Sequence, residues 1–113
     1  MTENRLREFE ELVLLSVLAA APEPYGASIQ RVLDQEAGRS VTLGAIYTAL
    51  DRLTRKGLVR SEMGDPTPVR GGRRRRQYEL TPEGLEQVVE IRRIRERLWQ
   101  KAGPNAQSEG VGR

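Results

Sequence analysis

Apolar residues recur at three- and four-residue spacing in four segments of the chain. This spacing is typical of helices that bury one face, and it predicts amphipathic helices over residues 6–21, 25–37, 43–56 and 81–100. The first predicted helix is apolar on more than one side. Such a helix is either central to the fold or covered by a partner chain.

The third predicted helix has the clearest ends. Thr42 stands where a hydroxyl can accept a hydrogen bond from the free amides of the first turn, and Gly57 stands where a helix C-terminus favours glycine. The expected buried stripe of this helix consists of Ile46, Ala49, Leu50 and Leu53. We therefore expect the residues at its N-terminal end to lie largely off the core face.

A β-hairpin is predicted between the third and fourth helices. Residues 58–63 and 74–80 have the composition of strands, and residues 64–72, with two prolines and three glycines, form the loop between them. The order of three helices, a hairpin and a last helix predicts a mainly α, winged helix-turn-helix fold. We expect residues 1–80 to form this domain, residues 81–100 a dimerisation helix and residues 101–113 a disordered tail.

Positive charge is concentrated in one part of the chain. The net charge is +3, yet residues 52–76 contain nine basic and two acidic residues and so carry +7, which leaves −4 for the rest. A local excess of this kind is expected where a protein binds a polyanion. Four of the arginines follow the hairpin loop, and we expect residues 71–76 to form the wing.

Several classes of function are disfavoured by composition. The chain has no cysteine and no histidine, so it lacks disulfides, thiolate metal sites and the commonest general base. Its longest apolar segment, residues 12–21, is about half the length that a membrane span requires. The N-terminus also lacks the layout of a secretory signal. We expect a cytoplasmic protein that is not an enzyme, needs no cofactor and does not bind a membrane.

Four sequence motifs, in the correct order, resemble the PadR-like transcriptional regulators. They are GAIYTALDRL (residues 44–53), GLV (57–59), RRQYELTPEG (75–84) and YG (25–26). The resemblance covers about residues 6–99. It implies a homodimer that binds a pseudo-palindromic operator, usually as a repressor relieved by a small molecule or another signal. The chain has room for a single C-terminal helix, as in the short members of the family.

In a winged helix-turn-helix the third helix enters the major groove of double-stranded DNA, and the hairpin tip reaches the adjacent backbone or the minor groove. The candidate DNA-binding residues are Thr42, Gly44, Ala45, Tyr47, Thr48, Arg52, Arg73, Arg74 and Arg75. The small residues allow close approach, and the resemblance implies a phosphate contact for the Tyr47 hydroxyl. The alternatives are that Tyr47 is a half-buried packing residue, that Thr42 is only a cap and that the arginines are simply solvated.

The last helix has more apolar surface than a small monomer can cover. The candidate dimerisation residues are Leu6, Phe9, Val88, Ile91, Ile94, Leu98 and Trp99. The alternative is a monomer with an exposed, aggregation-prone helix. In some short relatives an aromatic residue near this place lines a pore for flat apolar ligands, so the resemblance also makes Trp99 a candidate contact for a small apolar or aromatic effector.

Two functions fit these patterns. The first is a sequence-specific, DNA-binding transcriptional regulator. The second is a dimeric winged-helix module that uses its arginines to bind an acidic protein or RNA, without reading a DNA sequence. Saturable, salt-sensitive binding to a two-fold-symmetric DNA site distinguishes them.

Overall fold

The computed structural model of the chain describes residues 6–64 and 75–108, and its elements follow the predicted order. These elements are helices α1 (Glu8–Ala19), α2 (Gly26–Ala37) and α3 (Leu43–Arg55), strands β1 (Val59–Met63) and β2 (Arg76–Leu80), and helix α4 (Pro82–Ser108). The prediction of a mainly helical fold with one small hairpin is confirmed. No helix in the two described ranges is long and apolar enough to cross a membrane.

The core lies where the first three helices meet. Its fully buried side chains are Val13, Leu14, Val17, Ile29, Leu33, Ile46, Leu50, Leu53 and Val59. The predicted stripe of α3 is confirmed, since all four of its residues are buried. The predicted ends are confirmed too: the Thr42 hydroxyl accepts from the Ala45 amide at 3.1 Å, and Gly57 adopts a positive φ of 78°. Burial of the stripe turns the opposite face of α3 outward.

The two strands form an antiparallel hairpin in which Ser61 lies opposite Tyr78. A short extended segment before α2 joins its other edge, because Tyr25 forms a bridge with Gln77 and the Tyr78 amide donates to the Pro24 carbonyl at 2.9 Å. The hairpin is therefore held to the start of α2 as well as to the core. Its loop, residues 65–74, lies outside the described residues.

Helix α4 begins against the first strand. The Thr81 hydroxyl accepts from the Gly84 amide at 3.0 Å and donates to the Gly57 carbonyl at 2.7 Å. Gly84 is buried against the backbone of Leu58, where a Cβ atom would come within 3.0 Å of the carbonyl carbon and nearer still to its oxygen. Further along, Arg95 binds Glu11 of α1 through two hydrogen bonds of 2.7 and 3.1 Å.

The end of α4 differs from the prediction. We expected the helix to stop near Gln100 and a disordered tail to follow, but the helix continues to Ser108 with Pro104 inside it. Proline removes the amide that would bond the Gln100 carbonyl. Residues 92–101 are all exposed, so water can donate a hydrogen bond to that carbonyl in place of the missing amide. The residues on either side also include good helix formers. Residues 109–113 lie outside the described residues.

Candidate nucleic-acid interface

The outward face of α3 carries most of the predicted DNA-binding residues. All six of the candidates on or next to this helix are exposed: Thr42, Gly44, Ala45, Tyr47, Thr48 and Arg52. A Cβ atom at Gly44 would meet only the Thr42 hydroxyl, at 3.8 Å, so packing within the chain does not require glycine there. Small side chains thus cover the first turns of the helix and leave its backbone accessible.

Tyr47 packs against its own chain and also keeps part of its surface exposed. Its ring packs against Gly26 at the start of α2, where a Cβ atom would come within 2.7 Å of the ring carbon that bears the hydroxyl. The residue nevertheless remains 46% exposed. Gly26 is therefore small because the tyrosine lies on it, and this contact sets the position of Tyr47 on the surface.

The arginines near α3 and the hairpin fall into two groups. Three have partners on the same element or sheet: Arg55 pairs with Asp51, Arg60 with Glu79 at 2.6 Å, and Arg76 with Ser61 at 3.0 Å. In contrast, Arg52 and Arg75 are exposed and make no hydrogen bond or ion pair with any residue that the structure describes. The guanidinium groups of Arg52 and Arg75 are therefore available to bind a ligand.

Arg75 lies at the base of the wing, over the ring of Tyr25, with its guanidinium carbon 4.5 Å from the ring centre. The other two wing candidates, Arg73 and Arg74, fall outside the described residues. Two arginines of the basic segment therefore have no hydrogen-bond or ion-pair partner among the described residues: Arg52 on α3 and Arg75 beside β2. Tyr25 was selected from the sequence as part of the YG motif but not as a candidate DNA-binding residue.

A buried ion pair at the C-terminal end of α3 was not predicted from the sequence. Glu10 of α1 is only 3% exposed, and its carboxylate accepts from Lys56 Nζ at 2.7 Å and from the Arg7 amide at 3.2 Å. Burial, the largest single influence, raises the pKa of Glu10, but the Lys56 hydrogen bond, the Arg7 amide and the two positive charges together lower this pKa below its usual value. The sequence spacing does indicate that Glu10 is on the buried face of α1, because it lies three residues before Val13 and seven before Val17.

The predicted dimerisation residues separate into buried and exposed ones. Leu6 and Phe9 are half-buried against the core of their own chain, and Val88 is 6% exposed in that core, so it has little surface left for a partner. Ile91 is half-buried. Along the outer part of α4 the apolar side chains are more open, with Leu98 65% and Trp99 56% exposed. Leu15 and Leu18 of α1 are exposed as well.

Comparison with known proteins places the chain among transcriptional regulators. Residues 14–90 match the model of the transcriptional regulator PadR-like family. A Streptococcus transcriptional regulator of known structure is 30% identical, over 93% of this chain and 92% of that one, with a TM-score of 0.64. No curated protein sequence matches the chain.

Two further solved structures share the fold. A PadR family transcriptional regulator from Eggerthella lenta is 25% identical, over 82% of this chain and 79% of that one, with a TM-score of 0.63. Bacillus subtilis PadR, solved in complex with operator DNA, is 21% identical, over 75% of this chain and 46% of that one, with a TM-score of 0.62.

Proposed function

The chain belongs to the PadR-like family of transcriptional regulators, and we propose that it is a homodimeric repressor that binds a pseudo-palindromic operator. The observation that carries this proposal is the outward face of α3, where small residues precede Arg52, which has no hydrogen-bond or ion-pair partner among the described residues. A regulator acts where its operator is, so the proposal includes a cytoplasmic location.

In the proposed complex α3 lies in the major groove, which is wide enough for one helix. Ala45 and Thr48 are three residues apart and therefore adjacent on the helix surface, where a methyl group of either can meet a thymine methyl. Arg52 binds a backbone phosphate one turn later, and Tyr47 donates its hydroxyl to another. Arg75, together with Arg73 and Arg74, extends the phosphate contacts along the wing. Sequence preference then belongs to the helix, and the wing adds affinity.

The proposed dimer forms through the outer part of α4. Ile94, Leu98 and Trp99 expose apolar surface there, and Leu15 and Leu18 expose more on α1. A soluble monomer seldom leaves such a surface uncovered. A second copy related by two-fold symmetry would cover it and would present two α3 helices to half-sites about 34 Å apart.

An effector site at this dimer interface is the last part of the proposal. Trp99 is more than half exposed in the single chain, and an aromatic ring between two subunits offers a stacking surface for a flat apolar molecule. A ligand there would act on DNA binding through the relative position of the two α3 helices.

The DNA-binding proposal is tested by fluorescence anisotropy with the promoter of the protein's own gene and with random duplex. The wild-type protein is expected to prefer the promoter. If a dimer neutralises about eight phosphates, log affinity falls with log salt at a slope of about −7. Arg52→Ala removes one contact per subunit, so it is expected to weaken binding to all sequences and to reduce the slope by about 2.

Two further variants sharpen this test. Thr48→Ala is expected to change the preference among base pairs more than the overall affinity. Arg93→Ala is the matched control, because Arg93 is an exposed arginine on α4 that pairs with Glu90, and its loss is expected to leave the salt slope unchanged. Equal binding of wild-type protein to promoter and random duplex would refute sequence-specific recognition and favour the protein-interaction or RNA-binding alternative.

Dimerisation is tested by sedimentation equilibrium of Leu98→Glu. A carboxylate in an apolar interface is costly to desolvate, so the variant is expected to be largely monomeric at concentrations where the wild type is dimeric. Val89→Glu is the control, since Val89 is similarly exposed but lies nine residues away, on the opposite side of the helix. The only tryptophan of the chain, Trp99, provides a second signal: its emission should shift to the red in Leu98→Glu. A wild-type monomer would exclude the proposed dimer.

A further inference from the structure

The wing is attached to the helix-turn-helix through one short segment, residues 24–25. Tyr25 has an extended backbone, with φ −125° and ψ 174°, and it forms the bridge with Gln77 of β2. Arg75 is two residues before Gln77, so its side chain lies on the same side of the strand as that of Gln77. The bridge therefore brings Tyr25 and Arg75 together on one side of the strand.

Tyr25 is itself held firmly. Its amide donates to the Ser28 hydroxyl at 3.0 Å, and its carbonyl accepts from the Ile29 amide at 2.9 Å. The ring of Tyr47, on α3, packs against the next residue, Gly26. Tyr25 thus stands next in sequence to the residue that contacts α3, and its backbone is tied to both α2 and β2.

The contact between Tyr25 and Arg75 has a particular consequence for the arginine. The guanidinium lies over the ring face, 4.5 Å from its centre, which is the geometry of a cation–π interaction. Such an interaction uses the face of the guanidinium and leaves the five N–H donors on its edge available. Within the part of the chain that the structure describes, those donors have no hydrogen-bond or ion-pair partner.

We propose that Tyr25 is a positioning residue for DNA binding, whose ring holds the Arg75 guanidinium ready to donate to a backbone phosphate. An arginine that is already ordered loses less side-chain entropy when it binds. The neighbouring Arg76 does not have this role, because it donates to Ser61 within the hairpin. Tyr25 acts through Arg75, so its contribution is independent of base sequence. This inference rests on the proposed function, since it takes DNA as the ligand.

A double-mutant cycle tests the proposal. Affinity for promoter and random duplex is measured for wild type, Tyr25→Leu, Arg75→Ala and the double variant. Tyr25→Leu is expected to weaken binding of a dimer by about fivefold to thirtyfold on both duplexes, as expected for two exposed cation–π contacts. In the Arg75→Ala background the same change is expected to have no further effect. Tyr25→Phe keeps the ring and is expected to stay within about twofold of wild type.

A measurement without DNA checks the contact itself. In the free protein the Arg75 Hδ protons are expected to show a ring-current shift that is present in Tyr25→Phe and absent in Tyr25→Leu. This signal is read on the folded protein and so separates loss of the contact from loss of the fold.

The outcomes separate the two proposals. Additive effects of Tyr25→Leu and Arg75→Ala, or an unshifted Arg75 signal in the wild type, would overturn the positioning role while DNA binding stands. A wild-type protein that binds no duplex would overturn the proposed function, and the positioning role with it.

Discussion

Replacing Lys56 by Met is expected to lower the free energy of unfolding by about 3–5 kcal/mol, the usual cost of removing one partner from a buried ion pair. Glu10 is the partner left behind, with 3% of its surface exposed and its carboxylate aimed at Lys56 Nζ, 2.7 Å away. Without the lysine, only the Arg7 amide remains of the donors described for this carboxylate. Urea unfolding followed by circular dichroism, at one fixed protein concentration, measures the change.

Two controls show whether the unpaired charge is the cause. The double variant Glu10→Met/Lys56→Met replaces the pair by apolar side chains of similar size and is expected to be near wild-type stability or above it. Arg93→Met breaks an exposed pair on α4 and is expected to change stability by about 0.5 kcal/mol at most. If the double variant is as unstable as Lys56→Met, the loss comes from packing and not from the unpaired carboxylate.

The same pair predicts how stability depends on pH. The pKa of Glu10 is lowered in the folded protein, so its contribution is fully present above the ordinary carboxylate pKa and is lost as the pH falls through the lowered value. In Lys56→Met the main opposing influence on the Glu10 pKa is removed, so burial is expected to raise this pKa and protonation to relieve the cost of the unpaired carboxylate. The stability difference between wild type and variant is therefore expected to narrow as the pH falls from 7 to below 4.

The position of this ion pair bears on the proposed DNA-binding helix, α3. Lys56 caps the C-terminal end of α3, and Glu10 belongs to α1. The adjacent Glu11 holds Arg95 of α4. Consecutive glutamates of α1 thus connect the proposed DNA-binding helix α3 on one side and the proposed dimerisation helix α4 on the other. If α4 forms the proposed dimer, a change in how its two copies pack is expected to reach α3 along this route.

The sequence predicts the local features of this site well. The ends of α3 follow from Thr42 and Gly57, because a hydroxyl cap and a positive-φ glycine act within a few residues of their position. The pairing of Arg55 with Asp51 is likewise local, since the two are four residues apart. Arg52 was selected from the sequence as a candidate DNA contact, and it has no hydrogen-bond or ion-pair partner among the described residues. Its contact with DNA stays a prediction.

The contacts that escaped prediction join residues far apart in the chain. Glu10 and Lys56 are 46 residues apart, and Tyr25 meets Arg75 only because the segment before α2 pairs with β2. Hydrophobic periodicity carries no information about that pairing. The course of α4 beyond residue 100 was missed for another reason: Gly103 and Pro104 weaken the helical pattern, yet a helix that is already formed can continue through one missing hydrogen bond.

Gly84→Ala is expected to lower the free energy of unfolding by about 1–3 kcal/mol, as is usual for an overpacked site. The added Cβ would meet the Leu58 carbonyl, its carbon at 3.0 Å and its oxygen nearer. These are backbone atoms, and the same carbonyl already accepts from the Thr81 amide at 3.0 Å. Neither side can move without displacing α4 from the first strand. Urea unfolding of the purified variant measures the loss.

Gly103→Ala is the matched control, because it makes the same change in the same helix where nothing lies within 4 Å. It is expected to leave stability unchanged or raise it by up to about 1 kcal/mol, since alanine is the better helix former. Equal stability of the two variants would contradict the close approach of α4 to Leu58. A selective loss in Gly84→Ala would instead show that the start of α4 is fixed directly onto the backbone just before β1, so that α4 and the hairpin are positioned together.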